Sequence, residues 1–150
     1  MKPWELLGET HAPDGTTITL KRRDTEYLLL ANGETLMSNR QHESEDALGA
    51  LVCERVGKAP APAVLIGGLG MGYTLRATLD RLPKTAKITI AELLPSVVDW
   101  NRGPLGPLAG HPLDDPRVTL VTGDVSTILR ASQGVFDAVL LDVDNGPEAF

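Results

Sequence analysis

The chain has 150 residues, including 15 Gly and 11 Pro, with 42% apolar residues, 23% charged residues and a formal net charge of −6. This composition is typical of a soluble globular domain and excludes disordered, collagenous and coiled-coil chains. No apolar stretch approaches the roughly 20 residues that span a bilayer, and no signal peptide is apparent, so we expect a cytoplasmic protein without a membrane partner. The excess of acidic residues repels nucleic acid and attracts cationic small molecules.

Cysteine and histidine are too sparse for a disulfide or zinc scaffold. Cys53 is the single cysteine, so it has no partner for an internal disulfide. The three histidines, His11, His42 and His111, share no metal-ligand spacing with it. We therefore expect no metal ion in this protein.

The amino-terminal region has the pattern of a small β-hairpin module, which we place at residues 1–41. Residues 16–22 alternate between apolar and polar, and residues 26–31 form a compact apolar run. A third strand is predicted over residues 34–38, directly after Asn32 and Gly33. Asn-Gly is the strongest two-residue signal for a hairpin turn.

Residues 42–150 have the alternating pattern of an α/β domain. A helix is predicted over residues 43–56, followed by a short Pro-rich linker. Strands and helices then alternate, with strands at 63–67, 87–92, 118–122 and 136–142 and helices at 73–82, 95–101 and 125–131. This order predicts a Rossmann-like, mostly parallel sheet with right-handed crossovers. The remaining segment, residues 102–117, has three Gly and four Pro and is long enough to be a functional or mobile loop.

A glycine-rich turn follows the first strand of this α/β region. The strand continues into a G-x-G-x-G pattern formed by Gly68, Gly70 and Gly72, directly before a helical pattern. Glycine lets the backbone approach a ligand closely, and the start of a helix offers N–H groups to that ligand. The pattern predicts a ligand-binding loop, with a tight strand-to-helix turn as the alternative.

Acidic residues follow the other strands of the α/β region. Glu92 ends the second strand about 20 residues after Gly72, the spacing at which nucleotide-binding folds place a carboxylate for the ribose hydroxyls. Asp124 follows the third strand, Asp142 ends the fourth, and Asp144 comes two residues later. We expect all four to border a single cleft, because parallel strands end at the same edge of a sheet. The local alternatives are a solvated strand end for Glu92, a helix cap for Asp124 and a turn for Asp144.

Four stretches, residues 64–76, 88–98, 114–124 and 136–147, resemble the consecutive motifs of the spermidine synthase, or polyamine aminopropyltransferase, family. That family has the class I fold of transferases that use S-adenosylmethionine. The hairpin module resembles, more weakly, the small amino-terminal β domain of these enzymes. The resemblance implies that Gly68, Gly70 and Gly72 hold the amino-acid or aminopropyl side of a nucleoside. It also implies that Glu92 binds the ribose and that Asp124 binds the adenine amino group.

The same resemblance implies catalytic roles for Asp142 and Asp144. Asp142 would lie against the reacting amine as a base or orienting carboxylate, with Asp144 nearby. An ammonium must lose a proton before it attacks the carbon next to a sulfonium, and a carboxylate both attracts the cation and accepts the proton. The implied co-substrate is S-adenosylmethionine or its decarboxylated form, and the implied partner is a small-molecule amine.

Three departures from the family pattern keep other functions open. Met71 stands where aminopropyltransferases commonly have an Asp, and residues 36–38 and 42–45 lack the family's Gln and Tyr. We therefore keep two alternatives to aminopropyl transfer: a methyltransferase, and a non-catalytic nucleoside-binding fragment. A nicotinamide dehydrogenase is disfavoured because the loop is G-x-G-x-G rather than G-x-G-x-x-G.

The sequence ends soon after the fourth strand of the α/β region. Residues 138–141 would then form an apolar edge strand, which native folds normally cover. We expect either a truncated chain, in which the carboxyl-terminal part of the fold is missing, or a homo-oligomer such as a homodimer that pairs this edge.

Overall fold

The structure, a computed structural model, describes residues 1–142, which divide into two units, residues 1–42 and residues 43–142. The predicted site residue Asp144 lies outside the described residues. Within residues 1–142 no helix is both long and apolar enough to cross a membrane. The predicted boundary between residues 41 and 42 stays a prediction.

The first unit is a four-stranded antiparallel sheet in the order β1-β2-β3-β4. Its strands are β1 (Glu5–His11), β2 (Thr17–Arg23), β3 (Glu26–Ala31) and β4 (Glu34–Ser38). Ile18 and Leu20 alternate along β2 and are buried, as one face of a half-buried sheet requires. The Asn32-Gly33 turn has φ values of 47° and 84°, both positive as a type I′ turn requires, so the predicted hairpin is confirmed.

Strand β1 is an element that the sequence analysis did not predict. Its pairing with β2 shifts register between Leu6 and Gly8, as a β-bulge does. The bulge interrupts the two-residue alternation by which strands are recognised in a sequence. In addition, Leu6 is exposed, so the strand lacks a continuous apolar face.

The second unit contains a parallel four-stranded sheet, which confirms the predicted α/β fold. Its strands are β5 (Ala63–Gly67), β6 (Lys87–Glu92), β7 (Val118–Thr122) and β8 (Ala138–Leu141). The helices are α1 (Glu43–Val56), α2 (Tyr73–Arg81), α3 (Pro95–Arg102) and α4 (Val125–Ala131). Strand β8 is shorter than predicted at both ends. One flanking residue, Asp137, uses its carboxylate to accept the backbone N–H of Ala63 at 2.8 Å.

All four strands are parallel, and the order β7-β6-β5-β8 places β6 and β7 on one side of β5 and β8 on the other, so the order of the strands reverses between β5 and β8. Right-handed crossovers put α2 and α3 on one face of the sheet and α4 on the other. Accordingly, Val125 of α4 and Leu141 of β8 both approach Gly67 from one face. In sheets of this kind, ligands bind beyond the carboxyl ends of the strands at this reversal. The glycine loop follows β5 and Asp142 follows β8, so both lie at that position.

Residues 103–117 pack as an ordered connection between α3 and β7. Two short 3-10 helices form there, at Gly106–Ala109 and Pro112–Asp114. Leu105 is fully buried, and Pro112 is buried as well. The sequence suggested a functional or mobile loop because Gly and Pro dominate this segment. The few apolar residues that anchor it in the core form no pattern that a sequence reading would recognise.

Arg117 joins two turns at the edge of the sheet where β6 and β7 begin. Its guanidinium donates two hydrogen bonds to the Asp115 carboxylate, at 2.8 and 3.0 Å, and one to the Leu82 carbonyl at 2.9 Å. The Arg117 hydrogen bonds hold the pKa of the Asp115 carboxyl at about 2, below its usual value. Paired charges of this kind stabilise a fold only while the carboxyl is ionised.

Replacing Arg117 with Met is expected to lower the free energy of unfolding by about 2 kcal/mol at pH 7, since it removes charge-assisted hydrogen bonds. The contribution of Asp115 is complete above its unfolded pKa near 4 and disappears as the pH falls toward about 2. The difference between wild type and Arg117→Met in urea unfolding should therefore shrink between pH 5 and pH 2. The exposed Arg102→Met is the control, and a difference independent of pH would contradict the assignment.

Candidate functional site

The loop between β5 and α2 is built on three glycines with positive φ. Gly68, Gly70 and Gly72 have φ values of 97°, 53° and 87°, in the left-handed region that side chains disfavour. The Gly68 N–H donates to the Ala91 carbonyl at 2.8 Å, which extends the β5–β6 pairing by one residue. The Gly72 N–H donates to the Leu69 carbonyl at 2.9 Å and closes the turn. The conformation therefore requires the glycine pattern that the sequence analysis singled out.

Gly72 is packed by the protein's own residues. A Cβ at this position would lie 3.1 Å from Pro112 Cγ and 3.2 Å from Asn101 Oδ1. The third glycine thus has two structural requirements, its φ value and this close packing. The sequence analysis expected a loop that approaches a ligand, and at Gly72 the structure also shows a close approach to α3 and the following segment.

Glu92 is a buried carboxylate that connects two backbone segments. The residue is 8% exposed. Oε1 accepts the Leu69 N–H of the glycine loop and Oε2 accepts the Leu94 N–H before α3, both at 3.0 Å. A carboxylate has about four lone-pair positions, so each oxygen retains the capacity for one more hydrogen bond. The arrangement fixes the orientation of a group that can accept from a diol.

Asp142 follows β8 and contacts both β5 and α2. Its N–H donates to the Gly67 carbonyl at 2.8 Å, and its Oδ2 accepts the Thr74 hydroxyl at 2.6 Å. Thr74 is 2% exposed and belongs to the first turn of α2, directly after the glycine loop. The structure therefore brings Asp142 to the start of α2. Thr74 is a site residue that sequence reasoning missed, and the available signal was its position two residues after the last glycine.

Asp124 has a different local environment from the other acidic residues. Its Oδ1 accepts the backbone N–H and the hydroxyl of Ser126, both at 2.9 Å, so it caps α4 as the local alternative anticipated. These hydrogen bonds lower the pKa of its exposed carboxyl. The neighbouring Gly123 N–H donates to the Glu92 carbonyl at 2.9 Å, which keeps the end of β7 beside the end of β6. A role for Asp124 toward adenine stays a prediction.

Two apolar residues complete the description of this edge of the sheet. Met71, which stands where the resembling family commonly has an Asp, is 1% exposed and packs in the core. Leu93 follows Glu92 directly and is 45% exposed, so an apolar side chain is available beside the buried carboxylate. The glycine loop itself therefore places no charged side chain at the site.

Comparison with known families gives a match over most of the α/β region. Residues 52–150 match the spermine/spermidine synthase domain. The chain is 44% identical over 89 residues to putrescine N-methyltransferase 4 of Nicotiana tabacum. This match covers 58% of this chain and 22% of the relative. It is 33% identical over 137 residues to a polyamine aminopropyltransferase of Corynebacterium efficiens, and this match covers 89% of this chain and 25% of the relative.

Solved structures agree with the fold. The chain superposes on spermidine synthase from Thermotoga maritima with a TM-score of 0.75 and 22% identity, over 94% of this chain and 47% of that one. A spermidine synthase in complex with the transition state analogue AdoDATO gives a TM-score of 0.73 and 23% identity, over 91% of this chain and 47% of that one. The chain thus spans about a quarter of the curated relatives and half of the solved ones. It belongs to the spermine/spermidine synthase family.

Proposed function

We propose that this chain carries the nucleoside-binding part of a transferase that moves an aminopropyl group from decarboxylated S-adenosylmethionine to a small amine. The observation that carries the proposal is the position of Asp142 beside the glycine loop, at the reversal between β5 and β8. Membership of the spermine/spermidine synthase family supports it, as does the similarity to a polyamine aminopropyltransferase over 89% of the chain.

The residues at this edge of the sheet fit an adenosine-bearing sulfonium. Gly68 and Gly70, with the buried Leu69 between them, supply loop backbone on the sulfur side of the nucleoside. Glu92, held by two backbone N–H groups, accepts hydrogen bonds from the ribose hydroxyls. Leu93 offers its exposed side chain to the adenine ring, and Asp124 is assigned to the adenine amino group.

Asp142 is the residue to which we assign proton transfer, and Asp144, two residues later in the sequence, is the second candidate carboxylate. The acceptor arrives as an ammonium ion, which a carboxylate attracts and orients. Asp142 accepts one proton, and the freed lone pair attacks the carbon next to the sulfonium. The carbon–sulfur bond breaks as the carbon–nitrogen bond forms, and its electron pair stays on sulfur, which leaves a neutral thioether. Positioning the amine in line with that bond accounts for a large part of the acceleration.

Methyl transfer from ordinary S-adenosylmethionine is the second candidate. The observation that favours it is the buried Met71, because a loop without a carboxylate does not repel the carboxylate of the ordinary co-substrate. The similarity to putrescine N-methyltransferases supports the same candidate. Both candidates alkylate an amine and use Glu92 and Asp142 in the same roles.

Calorimetric titration with the two forms of the co-substrate separates the candidates. Tighter binding of decarboxylated S-adenosylmethionine, together with aminopropyl transfer to putrescine, is the expected result. A clear preference for the ordinary form, with transfer of a labelled methyl group, would replace the first candidate by the second. If neither form binds, the site has no such function.

The remaining expectations concern partners and location. We propose a small-molecule amine as the acceptor, a homo-oligomeric state and a cytoplasmic location. Sedimentation analysis of the purified protein tests the oligomeric state, and a monomer at all concentrations would contradict it.

A further inference from the structure

The Asn101 side chain connects helix α3 to the glycine loop. It is 3% exposed, although the sequence places it at the polar end of the helix. Its Nδ2 donates to the Val97 carbonyl at 2.9 Å and to the Gly70 carbonyl at 2.8 Å. Val97 lies four residues earlier in the same helix, so its carbonyl already has an ordinary helical partner. The hydrogen bond to Gly70 is the one that joins two elements.

The orientation of this amide is fixed by its two acceptors. Only the NH2 group of an Asn side chain can serve two carbonyl oxygens, so Oδ1 must point the other way. Oδ1 is buried and has no hydrogen-bond partner among residues 1–142. It faces Gly72, where an added Cβ would lie 3.2 Å from it. A buried oxygen without a donor is unfavourable, and such groups in native proteins call for an explanation beyond stability.

Asn101 and Glu92 together fix two peptide groups of the loop. Glu92 accepts the Leu69 N–H, and Asn101 donates to the Gly70 carbonyl. Because a trans peptide is planar, holding the Gly70 carbonyl toward α3 directs the Met71 N–H in the opposite direction, away from Asn101. The side chain therefore determines which way a backbone donor of the loop points.

We propose that Asn101 is a positioning residue of the nucleoside site, which acts through Gly70 by fixing the peptide between Gly70 and Met71. This peptide belongs to the part of the loop assigned to the sulfur side of the nucleoside, so the inference rests on the proposed function. Asn101 thus affects the affinity for ligands that carry a substituted sulfonium, and affects adenosine itself much less. Oδ1, which has no hydrogen-bond partner within residues 1–142, is the unfavourable buried group that accompanies this orientation.

Asn101→Asp tests the inference with almost no change in shape. The variant replaces the NH2 donor by an oxygen that faces two carbonyls, so the Gly70 peptide loses its anchor. We expect the affinity for S-adenosylmethionine or its decarboxylated form, whichever binds the wild type, to fall by about tenfold, the size of one lost hydrogen bond. The affinity for adenosine should change by less than about threefold, because adenosine lacks the sulfur-borne chain.

A matched control separates positioning from general stability. Val98→Ala removes buried side-chain volume from the same helix and leaves the hydrogen bond to Gly70 in place. It should lower the melting temperature without changing the ratio of the two affinities. If Asn101→Asp fails to fold, Asn101→Ala is measured in the same way, and amide hydrogen exchange should be faster at Leu69 and Gly72 than in Val98→Ala.

Three outcomes decide the matter. A selective loss of the sulfonium ligand in the Asn101 variants supports the inference. If the Asn101 variants lose affinity equally for the sulfonium ligand and for adenosine, or show the same ratio of these affinities as Val98→Ala, the positioning role is overturned. The proposed function is left intact by that result. A wild-type protein that binds neither ligand overturns the proposed function and this inference together.

Discussion

Replacing Glu92 with Gln is expected to weaken nucleoside binding by at least about tenfold and to lower the free energy of unfolding by about 1–3 kcal/mol. The Gln amide oxygen can accept only one of the two N–H groups, from Leu69 or Leu94, and the NH2 group then faces the other donor. One buried donor is left without an acceptor, and the diol loses a charged acceptor. Calorimetry with adenosine and urea unfolding measure the two effects.

The effect on the ribose is separated from the effect on the fold by a second ligand. Wild type should bind 2′-deoxyadenosine more weakly than adenosine, whereas Glu92→Gln should bind the two alike, since the partner of the hydroxyl has been changed. Glu54→Gln makes the same chemical change at an exposed position of α1 and is the control. If the loss of affinity from adenosine to 2′-deoxyadenosine is the same in wild type and Glu92→Gln, Glu92 does not bind the hydroxyl and only connects backbone segments.

Asp142→Asn is expected to reduce the turnover number for amine alkylation by about 10²–10⁴-fold while leaving nucleoside affinity within about threefold. The amide oxygen of Asn can still accept the Thr74 hydroxyl, so the local structure is retained. The amide accepts no proton, and it attracts the ammonium ion less than a carboxylate does. Initial rates at saturating amine, followed by the release of the thioether nucleoside, measure the loss.

The control for this variant is Asp99→Asn, at an exposed position of α3. It removes the same charge from the same domain and should leave the turnover number unchanged. If Asp142→Asn turns over at more than about one third of the wild-type rate, Asp142 is not the proton acceptor. A raised Michaelis constant for the amine with an unchanged turnover number would instead assign Asp142 to ammonium binding.

The sequence was sufficient to predict the elements that are specified by a pattern within one short segment of the chain. The G-x-G-x-G pattern after β5 predicted the loop that Gly68, Gly70 and Gly72 form. Each of these three positions has a positive φ, which glycine adopts at low cost. The alternation of strands and helices predicted the parallel sheet, and the position of Glu92 followed from the end of β6. The bulged strand β1 was missed because its alternation is broken.

The hydrogen-bond partners of the site residues could not be predicted, since they are contributed by other elements. Glu92 was expected at a solvated or ligand-facing strand end, and its two N–H partners become apparent only when the loop and α3 are placed beside it. Asp124 follows a strand as Glu92 does, yet its side chain caps α4. Asn101 looks like a solvated residue at the end of a helix, because burial depends on packing that the sequence does not record.

The packing around Gly72 constrains the order in which this protein can change during evolution. A side chain at position 72 would crowd Asn101 and Pro112 and would also strain the positive φ, so a smaller residue at either neighbour makes room for it but leaves the backbone strain. Asn101 also holds Gly70, which means that making this room first disturbs the loop. Positions 72 and 101 should therefore show positive epistasis, with each single change harmful and their combination less harmful than the sum. A library that varies only one of the two positions would not reveal this dependence.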